Sequence, residues 1–258
     1  MAAPPCRSVP EERQPVGELD NRVSEAVKVF WDTRTNQNAK QGAVGQRDAG
    51  ARSAVTGGKQ MNGFLKLVQD LLLRAGCPTD ALHLEKRVEL PGWFRAEKKW
   101  DLVVVHEKQL VAAVEFKSQI GPSFGNNFNN RAEEALGSAT DVWAAYREGA
   151  FKPSPRPWLG YFMLLEDCAA SQAVVKVSQP HFAVFPDFQK ASYMRRYEIL
   201  IQKLQRDRVY DGACFLVSSA SGGPKGEYSE PAPELRFDPF VRGIAAHVAA
   251  ACKADLLK

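Results

Sequence analysis

The sequence predicts an α/β fold with a mixed central sheet and added helices. Three observations predict this class. A strong apolar helical stripe comes first, three stretches with strand-like patterns follow it, and a long helix then leads into a buried apolar strand. A helix that connects two strands usually packs on their sheet, so this order favours layers of helix and sheet around one core.

The composition is that of an ordinary globular domain. The chain has 258 residues, a net charge of +4, 45% hydrophobic and 25% charged residues. No stretch approaches the roughly 20 apolar residues of a membrane span. The five cysteines form no C-x-x-C pair, which argues against a disulfide framework and a zinc site. We expect a cytoplasmic protein with no membrane partner, a disordered segment over 1–20 and a single domain over 21–258.

The first third of the chain alternates helix and loop. A short amphipathic helix is predicted from the spacing of Val23, Val27, Phe30 and Trp31. The pattern is lost over 33–59, which we interpret as a long basic loop, either a linker or a segment that DNA orders. Apolar residues then recur at helical spacing over 61–72, and Gly76 and Pro78 supply stop signals.

Three strands are predicted next. The stretch 82–90 alternates apolar and polar residues and ends at Pro91-Gly92. The strands 100–105 and 109–118 are joined by a tight turn over 106–108. Between the first two, Trp93 and Phe94 accompany the basic Arg95, Lys98 and Lys99, which suggests either an edge that follows DNA or a lid on the core.

The rest of the chain is predicted as seven further segments. These are a Gly/Asn-rich loop over 121–130, a helix over 132–146, a buried strand over 157–165, a hairpin over 174–184, a helix over 191–204, a strand over 210–218 and a closing helix over 240–257.

The stretch VAAVEFKS places two charges at the end of an apolar strand. Side chains alternate along a strand, so Glu115 and Lys117 share one face. The opposite face is predicted to carry Leu110, Ala112, Val114 and Phe116. Pairing across the turn sets Asp101 opposite position 114 or 115, beside Glu115, in the pattern D-x13-E-x-K. Alternatively, the pair is a solvated ion pair and Asp101 an acid at a strand edge.

Two carboxylates this close repel each other unless a positive charge lies between them. A hard divalent cation such as Mg2+ prefers a few carboxylate oxygens together with waters and a substrate phosphate. The residues therefore suggest a Mg2+ site for phosphodiester chemistry. Lys117 would orient or deprotonate the attacking water, or stabilise developing charge.

The run from Asp101 to Lys117 resembles the PD-(D/E)xK nuclease signature, and the element order is similar to that superfamily's core. Trp100 stands where the signature has Pro. A more specific resemblance, to the XhoI-type restriction endonucleases, is carried by three segments, namely EFKSQIGPSFGNNFNNRAEEALGSATD, PWLGY and PHFAVFPDFQKASYMRRYE. The resemblance implies a Mg2+-dependent type II enzyme that cuts duplex DNA at CTCGAG and leaves 5′ overhangs with 5′-phosphates. It also implies that Asp101, Glu115 and the Phe116 carbonyl are metal ligands and that Lys117 is the catalytic lysine.

A palindrome is most economically read by a homodimer, with one half-site per subunit. The loop after the catalytic strand has residues suited to base edges, namely Asn126, Asn127, Asn129, Asn130 and Arg131. They alternatively form a turn and a helix cap. Arg195 and Arg196 lie on a basic helix and are candidates for phosphate contact, or for a solvated surface. A structure-selective nuclease and a DNA-binding module without chemistry are the competing functions.

Overall fold

The computed structural model describes residues 17–44 and 59–252. Helix α1 spans Glu18–Val44 and buries Val23, Val27 and Phe30. It is much longer than predicted, so the interpretation of 33–59 as a loop is wrong up to Val44. Residues 45–58 of that stretch, and most of the N-terminal segment predicted to be disordered, lie outside the described residues.

Twelve further α-helices and strands follow along the described chain. Helix α2 (Asn62–Arg74) precedes the strands β1 (Leu82–Leu84), β2 (Glu89–Pro91), β3 (Glu97–Lys99), β4 (Leu102–His106) and β5 (Gln109–Gln119). The chain continues through α3 (Phe124–Arg147), β6 (Trp158–Glu166), α4 (Ala169–Gln172), α5 (Tyr193–Arg206), β7 (Gly212–Ser218) and α6 (Phe237–Cys252).

The central sheet has the strand order β1-β4-β5-β6-β7. The pairs β1–β4 and β4–β5 are antiparallel, whereas β5–β6 and β6–β7 are parallel. A parallel pair needs a long crossover, and α3 supplies the one between β5 and β6. The predicted mixed sheet and α/β class are therefore confirmed, and the fold is compatible with a nuclease.

The turn between β4 and β5 sets the register of the site. Glu107 and Lys108 both have positive φ, 49° and 62°, as a two-residue turn matched to the strand twist requires. The register shifts between Val104 and Val105, so the pattern of facing residues changes there. Leu110 consequently joins the core on the Glu115 side, not the opposite side as predicted.

Helices cover both faces of the sheet and divide the core in two. One cluster packs α1, α2 and α6 on the face that carries Val114 and Phe116. The other packs α3 and α5 on the face that carries Ala113 and Tyr161. The central strands are thus apolar on both sides, which explains their nearly continuous hydrophobic runs.

Two predicted strand regions are wrong. The stretch 82–90 is divided between β1 and β2 because Glu85 and Arg87 have positive φ, 55° and 58°, which interrupts an extended strand. The segment 174–184 forms no hairpin; its described pairing is a single bridge between Val174 and Ser192. Strand β3, which pairs with β2 in a separate two-stranded sheet, was not predicted.

The Gly/Asn-rich loop is also shorter than predicted. Helix α3 already begins at Phe124, and the Phe124 ring is buried against the sheet. The Asn residues therefore lie on helical turns rather than in a loop. The other predicted helices and strands after residue 130 are present, with ends shifted by a few residues, and the stretch 253–257 of the predicted closing helix lies outside the described residues.

Candidate active site

Asp101 and Glu115 lie on one face of the sheet. Leu102 pairs with Val114, and the Asp101 N–H donates to the Val114 carbonyl over 3.3 Å. Leu102 and Val114 belong to the core cluster on the opposite face. Because side chains alternate, the preceding Asp101 and the following Glu115 both point towards α3. The predicted convergence of the two carboxylates is confirmed.

The Asp101 carboxylate is held against the backbone of β5. Its Oδ2 accepts a hydrogen bond from the Phe116 N–H over 2.7 Å. Burial and the nearby charge of Glu115 raise the pKa of Asp101 to about 6. The Phe116 ring is turned away and stacks on Phe162 in the opposite core cluster, so only the backbone of Phe116 is on hand at the site.

Two ammonium groups neutralise Glu115, whose exposed fraction is 4%. Lys117 contacts its Oε1 and Lys98 contacts its Oε2. Burial by itself would raise the pKa of Glu115, but the two lysines outweigh burial and hold that pKa below its ordinary value. Burial by itself would lower the pKa of Lys117, but the charge of Glu115 outweighs burial and raises that pKa. Glu115 and Lys117 are therefore both charged. Because Glu115 is buried, the alternative that the two form a solvated ion pair is wrong.

Lys98 is a site residue that sequence reasoning missed. It comes from β3, outside the central sheet, and its side chain is 11% exposed. Its Nζ lies 4.3 Å from the centre of the Trp100 ring and donates to the Lys99 carbonyl over 3.2 Å. The three consecutive charged residues of β3 give no sequence signal for this placement, although Lys98 is half-buried between the exposed Glu97 and Lys99.

The β2–β3 hairpin is fixed to α3 by one carboxylate. Asp141 accepts from the N–H groups of Trp93 and Phe94 over 2.7 and 2.8 Å, and from Arg95 Nε over 2.7 Å. Trp93 and Phe94 are 55% and 75% exposed. The interpretation of these aromatics as a core lid is wrong, and an edge that contacts DNA stays a prediction.

The predicted base-reading residues lie on the first turns of α3. Asn126, Asn129 and Asn130 are exposed and share one helix face, and Asn127 is half-buried. A role for them in a turn or as the cap is wrong, because the helix begins before them and its N-cap is Ser123. Contact with DNA bases is not tested by the geometry and stays a prediction.

Arg131 is connected to the site through Glu134. Its guanidinium pairs with Glu134 over 2.6 Å, and the same carboxylate lies 3.7 Å from Lys117 Nζ. Helix α3 thus contributes a second acid beside the lysine. Sequence reasoning missed Glu134, although its position one turn after the Asn cluster follows from the helical period.

Arg195 and Arg196 lie at the start of α5, which Ser192 caps through the Arg195 N–H. Arg195 pairs with Glu198 over 2.6 Å. Arg196 lies over the Tyr193 ring at 5.5 Å and donates to the Val175 carbonyl over 3.4 Å. Both guanidinium groups have protein partners, so DNA contact stays a prediction.

The donor set fits Mg2+ with DNA as a further ligand. Within residues 17–44 and 59–252, no three His, Cys, Asp or Glu side chains are grouped so as to hold a metal ion. Mg2+ is commonly held by only one or two carboxylates, together with waters and a substrate phosphate. Asp101 and Glu115 provide that number, and the Phe116 carbonyl directly follows Glu115 on β5.

The fold and the site together define a class. A mixed five-stranded sheet that presents a buried acid, a half-buried acid and a lysine on one face is compatible with a nuclease. Comparison with known proteins makes the assignment specific. The family model described as restriction endonuclease XhoI matches residues 40–230. The chain belongs to this family and is a type II restriction enzyme, a site-specific deoxyribonuclease that binds duplex DNA.

Three relatives are similar over most of their length. The chain is 53% identical over 208 residues to type II restriction enzyme BstVI of Geobacillus stearothermophilus, covering 79% of this chain and 93% of the relative. It is 45% identical to XhoI of Xanthomonas vasicola (73% and 76% covered) and 46% identical to AbrI of Azospirillum brasilense (65% and 75% covered). No solved structure matches. In the part of the chain that the structure describes, no helix is long and apolar enough to span a bilayer.

Proposed function

We propose that the protein cleaves duplex DNA at the palindrome CTCGAG in a Mg2+-dependent reaction and leaves 5′ overhangs with 5′-phosphates. The similarity to XhoI suggests the recognition sequence. The observation that carries the chemistry is the convergence of Asp101, Glu115 and Lys117 on one face of the sheet.

Asp101, Glu115 and the Phe116 carbonyl would hold the Mg2+ ion. When bound, the ion supplies a water of lowered pKa and neutralises charge that develops on the phosphate. The Phe116 N–H keeps the Asp101 carboxylate in place through its 2.7 Å hydrogen bond. Glu115 is buried and Asp101 is half-buried, and charges interact more strongly in such an environment than in bulk water.

Lys117 acts beside the two acids. Glu115 holds it as an ammonium, and Glu134 lies 3.7 Å away on the other side. An ammonium donates hydrogen bonds but accepts none. This favours orientation of the attacking water and stabilisation of negative charge on the phosphate over deprotonation of that water.

The proposed reader of DNA sequence is the exposed face of α3 that carries Asn126, Asn129 and Asn130, with Asn127 and Arg131 beside it. Asn amides pair with adenine and Arg with guanine in the major groove. Glu134 joins this helix to Lys117, so base contacts and the site share one element. A two-fold homodimer would place one such helix on each half-site. Arg195 and Arg196 are proposed phosphate contacts.

The test is cleavage of a plasmid with a single CTCGAG site in Mg2+, followed by sequencing of the ends. Glu115→Ala and Lys117→Ala should retain DNA binding and lose cleavage, since they remove site groups but no base contact. The matched controls Glu148→Ala and Lys66→Ala change exposed residues and should cut normally. Wild-type cleavage by Glu115→Ala would overturn the metal assignment.

The ends also decide between the competing functions. Scattered ends, or a preference for DNA junctions, would favour a structure-selective nuclease. DNA binding without any nicking would favour a module without chemistry. Membership in the restriction endonuclease family favours defined ends at one sequence. Sedimentation of the protein on an uncleaved CTCGAG duplex tests the homodimer, because a monomer there would contradict it.

A further inference from the structure

Lys98 contacts a Glu115 carboxylate oxygen that would have to be free for Glu115 to bind a metal ion. Its Nζ lies on Oε2, whereas Lys117 occupies Oε1. We propose that Lys98 takes the place of the divalent cation in the metal-free enzyme and leaves Glu115 when the metal binds. This inference rests on the proposed metal role of Glu115.

The geometry requires one ammonium to move. Glu115 is 4% exposed and both of its oxygens are in contact with a lysine. A cation that binds this carboxylate competes directly with these contacts. Because the two positive charges would also repel each other across the same oxygen, the affinity for the metal falls by the free energy needed to displace the lysine.

Lys98 is the lysine that can leave. Lys117 lies two residues from Glu115 on the same strand and is also 3.7 Å from Glu134. Lys98 belongs to the separate two-stranded sheet. The Trp100 ring at 4.3 Å and the Lys99 carbonyl at 3.2 Å remain to stabilise its charge once the carboxylate is lost.

The charge balance explains why such a group is needed. Two buried carboxylates without counter-charges would destabilise the fold, since an uncompensated buried charge costs several kcal/mol. Lys98 and Lys117 together balance Asp101 and Glu115. These four side chains therefore carry no net charge before a metal ion binds.

The test measures binding of Mn2+ alone, without DNA, by calorimetry or electron paramagnetic resonance. Lys98→Met should bind Mn2+ more tightly than the wild type, on the order of tenfold, because one competing charge is removed. Lys98→Arg keeps the charge and should bind like the wild type. Lys99→Met is the matched control, since Lys99 is exposed on the other side of β3. Lys98→Gln replaces Lys98→Met if the latter fails to fold.

Unchanged or weaker Mn2+ binding by both neutral Lys98 variants would overturn the proposal. A Glu115→Gln variant separates this failure from that of the proposed function. If Glu115→Gln loses Mn2+ binding while the Lys98 variants match the wild type, only the role of Lys98 is refuted. If Glu115→Gln binds Mn2+ as the wild type does, the metal role of Glu115 fails, and the inference about Lys98 fails with it.

Discussion

Replacing Asp101 by Asn should abolish cleavage and at the same time stabilise the metal-free fold above neutral pH. The Asp101 carboxylate is buried beside Glu115, and these two effects raise its pKa from 3.8 to about 6. An Asn side chain has no charge, yet its carbonyl oxygen can accept the same hydrogen bond from the Phe116 N–H. The substitution therefore removes the unfavourable charge and keeps the favourable contact.

The sign and magnitude follow from proton linkage. Between pH 4 and pH 6 the folded protein retains a proton at Asp101 that the unfolded chain has released, so stability falls as the pH rises through this window. The loss is complete above about pH 6. One pKa unit corresponds to ~1.4 kcal/mol, so the shift costs about 3 kcal/mol. Asp101→Asn should exceed the wild type by about this amount at pH 8 and by much less at pH 4.

The assay is urea denaturation with EDTA at pH 4, 5, 6 and 8, comparing the free energies of unfolding of variant and wild type. Asp80→Asn is the control, because Asp80 is exposed and is not among the groups that act on Asp101, and it should change stability little at any of these values. If Asp101→Asn were less stable than the wild type at pH 8, or if its advantage were the same at pH 4 and pH 8, the reasoning would be wrong.

Three further substitutions test the supports of the site. Asp141→Ala removes the acceptor of three N–H groups of the β2–β3 hairpin and should destabilise the protein by about 3 kcal/mol and slow cleavage; Asp141→Asn should do less of both. Ser192→Ala removes the cap of α5 and should cost about 1 kcal/mol in chemical denaturation. Tyr161→Phe deletes a buried hydroxyl that has no partner among the described residues, and should leave the free energy of unfolding unchanged or higher.

Sequence periodicity predicted what depends on neighbouring residues. The alternation of β5 and the tight turn before it placed Asp101 beside Glu115, and the structure confirms this. The order of the long helices and of the five strands in the central sheet was equally accessible, because each is marked by its own apolar pattern. The register shift after Val104 was not visible in the sequence pattern, and it places Leu110 on the Glu115 side and Val111 on the opposite side of the sheet.

Tertiary contacts account for what was missed. Lys98 reaches Glu115 from a different sheet, and nothing in the local pattern of a three-residue strand indicates its partner. The positive φ of Glu85 and Arg87 is unusual for residues other than glycine, so the break between β1 and β2 had no sequence signal. The Asn run favoured a turn by composition, but packing of Phe124 on the sheet overrides that preference.

Helix α3 fixes the distance between the two acids that help to position Lys117 and Lys98. Glu134 lies next to Lys117, and Asp141 anchors the hairpin that delivers Lys98. Seven residues separate these acids, about two turns or ~10 Å, and each residue turns the helix by about 100°. A single residue inserted or deleted within 135–140 would rotate Glu134 or Asp141 away from its present contact. Insertions and deletions in functional descendants of this sequence should therefore lie outside 135–140.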